Sequence, residues 1–221
     1  HFHLLIIHMS LQTGSLTGFG SVAIHSGHEK EGNNAHLTPI YASSTYVFDD
    51  AGQGMRRFNG EEKGYIYSRW GNPTMTEAEE KISALESFQL KQPDGEPLQL
   101  KTLLHASGMA ALSTLLLGNL KSGDKILSHF SLYGGSHELM EKVLPQLGIE
   151  AIIVDLRNLD KAADAMKNDS KIKMLYLETP ANPTIQCVDI DELTKLGKQI
   201  NLIVAVDNTF ATPYLQQPFT Y

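Results

Sequence analysis

The chain of 221 residues is 42% hydrophobic and 19% charged, with 18 basic against 25 acidic side chains and a net charge of −7. That apolar share builds a packed core, the lack of an apolar run near ~18 residues excludes an ordinary membrane helix, and the acidic balance gives no general attraction for nucleic acid or anionic membrane. The single cysteine, Cys187, forms no internal disulfide, which fits a reducing cytoplasmic compartment and removes disulfide frameworks and cysteine-zinc sites.

Residues 1–9, rich in histidine and aliphatics, are too short for a secretory signal and read as a tag or upstream remnant, with Met9 as a natural start. Residues 10–73 are rich in Gly, Ser, Thr and Asn without a sustained helical period, so an irregular arm is expected there. Within it, Gly18-Phe19-Gly20-Ser21-Val22-Ala23 satisfies the G-x-G-x-x-A pattern of dinucleotide binding. No strand is expected before it and no crossover helix after it, which makes a nicotinamide-dependent oxidoreductase the weak alternative. His25 and His28 have no carboxylate or cysteine partner at ligand spacing, and no metal centre is expected. The texture changes near Asn72. Thr74-Met75-Thr76-Glu77 reads as a capping box, and Ala78, Ile82 and Leu85 follow at helical spacing, which predicts a helix from about Thr74 to Ser87.

After a polar loop over residues 90–100 come five short apolar runs, at 102–106, 125–128, 151–154, 173–177 and 202–206. Helical segments lie between them at 108–117, 136–147, 160–167 and 190–200. This βαβαβαβαβ order predicts an α/β fold with a mostly parallel sheet, covered on both faces, in which ligands bind outside the carboxyl ends of the strands. Ser107-Gly108-Met109-Ala110 opens a helix there, and its backbone N–H groups suit a phosphate. Tyr133-Gly134-Gly135-Ser136 places a ring beside two glycines. Glu178-Thr179-Pro180-Ala181-Asn182-Pro183 and Asp207-Asn208-Thr209 close the other two strands. Singly, each reads as a turn, a packing aromatic or a loop cap. In this order they supply what a phosphorylated aromatic heterocycle needs: a phosphate cradle, an aromatic platform, an amide donor and a carboxylate.

These residues resemble the pyridoxal 5′-phosphate (PLP) enzymes of cysteine and methionine metabolism, the trans-sulfuration family that includes cystathionine γ-synthase, cystathionine γ-lyase and methionine γ-lyase. The resemblance runs from about Gly20 to Tyr221. It rests on the motifs Tyr65-Ile66-Tyr67-Ser68-Arg69-Trp70-Gly71-Asn72-Pro73-Thr74, Ala106-Ser107-Gly108-Met109-Ala110, Leu132-Tyr133-Gly134-Gly135, Glu178 to Pro183 and Asp207 to Gln216. It implies a fold type I, aspartate-aminotransferase-like PLP-binding domain, partial over residues 74–221, preceded by the arm 10–73 that contacts a neighbouring subunit. The backbone amides of Gly108 and Met109 would hold the cofactor phosphate, with Ser107 and Thr209 also among the cofactor-binding residues. Tyr133 would stack on the ring and transfer protons near the substrate amino group. Asn182 would donate to the ring's 3-oxygen, Asp207 would pair with the protonated ring nitrogen, and Glu178 would support them. Tyr67 and Arg69, two apart on a segment expected to be extended and hence on one face, would reach the phosphate in a neighbouring subunit. A homo-oligomer with shared sites follows, a dimer at least and a tetramer by family analogy.

The implied chemistry is γ-elimination or γ-replacement on cystathionine, methionine or an O-acylhomoserine. In the family the Schiff-base lysine follows the Asp207 motif, and none of Lys63, Lys125, Lys195 and Lys198 stands in a matching context. The native chain is therefore expected to continue past Tyr221 with that lysine and a C-terminal part; the alternative is a non-catalytic fragment or pseudoenzyme. Gly135 stands where methionine γ-lyases usually carry cysteine, whereas the 58–64 segment resembles their arms, so elimination and replacement both stay open. Cys187 is expected to be a small buried residue.

Overall fold

The computed structural model describes residues 18–28 and 35–221, so the reading of residues 1–9 lies outside it. Two compact units divide at Leu104 and His105.

The arm is less irregular than its composition implies. The first unit holds helices α1 (Phe19–His25), α2 (Ala51–Phe58) and α3 (Pro73–Glu86). At seven residues α1, which follows Gly18, is shorter than a dinucleotide crossover helix. α2 is short but capped, because the Asp50 carboxylate accepts from the Gln53 amide. α3 begins one step before the expected start: Asn72, not Thr74, is its cap, with its side-chain oxygen accepting from Thr74 N–H at 3.0 Å. Pro73 suits the first turn, where its fixed φ is helical and its missing N–H would have had no partner. The Thr74 hydroxyl accepts from the Tyr41 amide at 2.9 Å and so joins the arm to the helix start.

The apolar run 102–106 forms no strand. The Leu104 N–H, which a ladder would need, donates to the Glu79 carboxylate at 3.0 Å, Thr102 pairs with Ser83 at 2.7 Å, and Leu103 is 70% exposed. Apolar alternation supplies a face but not a neighbouring strand to bond with.

The second unit contains α4 (Gly108–Asn119), β1 (Lys125–His129), α5 (Gly134–Glu138), β2 (Glu150–Val154), α6 (Leu159–Asn168), β3 (Ile172–Glu178), α7 (Ile190–Gln199), β4 (Ile203–Asp207) and α8 (Thr212–Leu215). Four strands rather than five form an all-parallel sheet in the order β2-β1-β3-β4. Strand alternation sends Ile126, Met174, Tyr176 and Ala205 to one face, where they pack with Leu112, Leu116 and Met140. Leu127, Leu175 and Leu177 go to the other face, against Ala162, Met166 and Leu193. Burial on both faces explains the near-continuous apolar strands.

The helix expected over 136–147 is divided. α5 passes into a π-helical turn, Leu139–Val143, and a 3₁₀ turn, Leu144–Leu147. Pro145 cannot donate to an α-helical ladder, so the chain rewinds around it and ends at Gly148 with φ 75°. Cys187 is exposed, not buried; the neighbouring Val188, 9% exposed, takes the inward position in the core under β3.

Candidate active site

The chain reverses direction in the sheet at β1, which lies between β2 and β3. Crevices for ligands form beyond the strand ends at such a switch point. A cavity of about 330 Å³ opens there, lined from the start of α4, the segment after β1, and the ends of β3 and β4 with the loops beyond them. It brings together eight of the ten expected site residues: Ser107, Gly108, Met109, Tyr133, Glu178, Asn182, Asp207 and Thr209.

Ser107 has extended backbone and caps α4, its Oγ accepting from the Ala110 N–H at 3.1 Å. The next two amides, of Gly108 and Met109, belong to the first turn and have no acceptor within the helix, so they can serve an anion. A Cβ on Gly108 would meet nothing within 4 Å, which leaves this peptide face open to an incoming group.

Glu178 is 5% exposed, and its carboxylate organises two loops. Its oxygens accept from the Tyr133 N–H at 2.9 and 2.8 Å, and Oε1 also accepts from the Asn182 N–H at 2.9 Å. Burial pushes its pKa up, the two backbone amides pull it down, the Asp207 charge adds to the rise, and the net shift is upward. The β3–β4 register sets Glu178 opposite Asp207, so two carboxylates stand side by side at the strand ends.

Asp207 is both turn former and pocket wall. Its Oδ1 accepts from the Thr209 N–H at 3.1 Å and the Thr209 hydroxyl at 2.6 Å. Its Oδ2 accepts from the Tyr176 hydroxyl at 3.2 Å. Farther along the same loop, Gln216 donates to the Thr179 carbonyl at 2.9 Å and to the Asn208 side chain at 2.8 Å, joining the β3 and β4 loops.

Tyr133 lines the cavity and is 48% exposed. A Cβ on Gly135 would lie 2.7 Å from its Cε1 and 3.0 Å from the Met109 Sδ. Glycine at 135 therefore lets the ring lie close over the backbone, a reason for this residue that spacing alone does not reveal.

Tyr67 and Arg69 belong to the first unit and do not line this cavity. Tyr67 is extended and forms an antiparallel bridge with Thr45, but Arg69 does not continue it: the Trp70 and Gly71 amides donate to the Tyr67 carbonyl at 2.8 and 3.1 Å, which makes a turn. The turn still brings them together, with the Arg69 guanidinium 5.5 Å from the centre of the Tyr67 ring. Sequence reading missed Tyr176, because an aromatic inside an apolar strand reads as core and only the register of β3 against β4 shows its polar end meeting Asp207. Phe210, Leu112 and Pro180 also line the cavity and carried no separate signal.

The donor set fits a planar cofactor with an anionic arm and a cationic ring nitrogen: first-turn amides, two carboxylates and an aromatic ring line one cavity. Among the described residues no group of three or more His, Cys, Asp or Glu gathers for a metal ion, and no helix is long and apolar enough to cross a membrane.

Comparison with known proteins identifies the family. The family model described as Cys/Met metabolism PLP-dependent enzyme matches residues 20–221. An L-methionine gamma-lyase of Fusobacterium nucleatum subsp. polymorphum is 46% identical over 202 residues, covering 91% of this chain and 48% of that protein. The crystal structure of metB from Corynebacterium glutamicum superposes with a TM-score of 0.80 at 34% identity, covering 93% of this chain and 49% of that one. A putative O-acetylhomoserine (thiol)-lyase from Campylobacter jejuni, solved with N′-pyridoxyl-lysine-5′-monophosphate, superposes with a TM-score of 0.81 at 30% identity over 92% of this chain and 47% of that one. The chain thus spans about half the length of these relatives.

Proposed function

The chain belongs to the PLP-dependent enzymes of cysteine and methionine metabolism, and from that premise we propose that the second unit's cavity holds PLP in a carbon–sulfur lyase. The observation that carries this reading is the convergence of the Gly108 and Met109 amides, Tyr133, Asn182 and Asp207 on one cavity. When bound, PLP supplies an electron sink next to the α-carbon of an amino acid. This chain's residues supply the rest. The α4 amides bind the phosphate, and the Asp207 carboxylate holds a proton on the ring nitrogen. Tyr133 stacks on the ring and moves a proton near the substrate amino group, while Asn182 donates to the 3-oxygen. Glu178 keeps the Tyr133 and Asn182 backbones in register. Tyr67 and Arg69 reach the phosphate of a neighbouring subunit in a homo-oligomer, a dimer at least.

For the reaction, γ-elimination from L-methionine is favoured by the name of the 46% identical relative. Methionine and water would give methanethiol, 2-oxobutanoate and ammonia. Gly135 supports a second reading, γ-replacement on an O-acylhomoserine, in which a thiol displaces the acyl group and no ammonia forms. Incubation of the full-length protein with each substrate separates the two: ammonia and 2-oxobutanoate in equal amounts from methionine support elimination, whereas a thioether and free carboxylic acid support replacement. A protein that takes up no PLP and forms neither product set contradicts both.

A further inference from the structure

Tyr176 is buried, polar at its tip and given no task by the reading above. It lies within β3, 2% exposed, and packs with the core on the α4 side of the sheet. The register pairs Tyr176 with Ala205 and Glu178 with Asp207, so the side chains of Tyr176 and Asp207 leave the same sheet face one diagonal step apart. The phenol reaches the Asp207 Oδ2 at 3.2 Å. A carboxylate accepts at about four lone-pair positions. On Asp207, Oδ1 already takes the Thr209 amide and hydroxyl, and Oδ2 takes Tyr176.

We propose that Tyr176 is a positioning residue, whose hydroxyl fixes the rotation of the Asp207 carboxylate and so leaves the remaining lone pair of Oδ2 for the ring nitrogen of PLP. The inference rests on the cavity being the PLP site. Thr209 alone holds one oxygen and lets the carboxylate turn about that anchor; a donor on the other oxygen removes this freedom. Burial first, and the Asp207 charge second, raise the Tyr176 pKa, so the phenol keeps its proton and stays a donor across the neutral range.

Two probes that form no covalent bond separate this role from ordinary core packing. One is 4′-deoxypyridoxine 5′-phosphate; the other is its 1-deaza analogue, with carbon in place of the ring nitrogen. Both are titrated by fluorescence into the full-length wild-type protein and into Tyr176→Phe, each first freed of bound PLP with hydroxylamine. The variant is expected to bind the pyridine probe several-fold more weakly, the effect of having to order one side chain on binding, and to bind the deaza probe as wild type does. Ser128→Ala is the control, because Ser128 is buried and its hydroxyl donates to the Tyr176 carbonyl at 3.0 Å without touching Asp207. It should preserve the wild-type ratio of the two affinities. Equal losses on both probes, or no loss on either, overturn the positioning role. Should Tyr176→Phe fail to fold by circular dichroism, 3-fluorotyrosine at 176 makes the same comparison, since it alters the donor and keeps the ring. A change confined to the pyridine probe supports the role, and an equal response or none opposes it. Wild-type protein that binds neither probe would instead refute the PLP reading of the cavity.

Discussion

Glu178 joins the Tyr133 and Asn182 loops through one carboxylate, and its removal should act on both at once. Glu178→Gln can keep an oxygen at the Oε1 position, which both backbone N–H groups reach, but it puts an NH₂ group in place of the Oε2 that the Tyr133 N–H also meets, so two donors face each other. Leaving a buried donor unsatisfied costs about 1–3 kcal/mol, and urea unfolding should show a loss of that size. Gly135 acts differently. In Gly135→Ala the new Cβ meets the half-exposed Tyr133 ring and the Met109 sulfur rather than backbone, so Tyr133 turns away and the fold survives. The expected result is nearly unchanged thermal stability with several-fold weaker binding of 4′-deoxypyridoxine 5′-phosphate; unchanged binding would mean that the ring does not stack on the cofactor.

Among the elements, α3 and the loop after α2 show how local chemistry builds the first unit. Asn72 is 7% exposed, caps α3, and also donates to the Tyr41 carbonyl at 2.9 Å and the Ser68 hydroxyl at 3.0 Å. Asn72→Ala should therefore cost about 1–2 kcal/mol, the upper part of the range for a lost cap, measured by chemical unfolding. The Glu62 carboxylate gathers Gln53 at 3.0 Å, Arg56 at 3.0 Å and Arg57 at 3.2 Å. Desolvation pushes its pKa up, but the hydrogen bonds from Arg56, Gln53 and Arg57 outweigh it, and the net shift is below the ordinary 4.5. A depressed acid contributes stability that is complete above its unfolded value and disappears as pH falls through the folded one. Glu62→Gln should then unfold earlier than wild type at neutral pH, and the difference should close well below pH 4.5. The same elements show what a sequence can reveal. The ends of β3 and β4 are legible because alternation and turn residues mark them, and Glu178 and Asp207 fall on them; Tyr133 follows β1 by a short loop, and Ser107 is legible as a helix cap rather than a strand end. The run 102–106 was misread because periodicity cannot supply a pairing partner, and the 136–147 helix because Pro145 forces the chain to rewind. Tyr176 stayed hidden because its role depends on register across two strands.

On the scale of the whole molecule, Tyr67 and Arg69 lie in the first unit and the cavity in the second. If the phosphate takes an arginine from a neighbouring subunit, Arg69→Ala should weaken cofactor retention while leaving the second unit's fold intact, and dilution that dissociates the oligomer should weaken it similarly. Gel filtration with absorbance detection checks both, and a monomer that retains cofactor normally would remove the shared site. The family assignment and the cavity converge on one structural claim, that PLP lies with its phosphate on the α4 amides and its ring nitrogen on Asp207. A crystal structure of the full-length protein grown with PLP tests it most directly. Phosphate oxygens are expected about 2.7–3.2 Å from the Gly108 and Met109 nitrogens, and the ring nitrogen within the same reach of Asp207 Oδ2. PLP bound elsewhere, or in this cavity with its ring nitrogen away from Asp207, would contradict it.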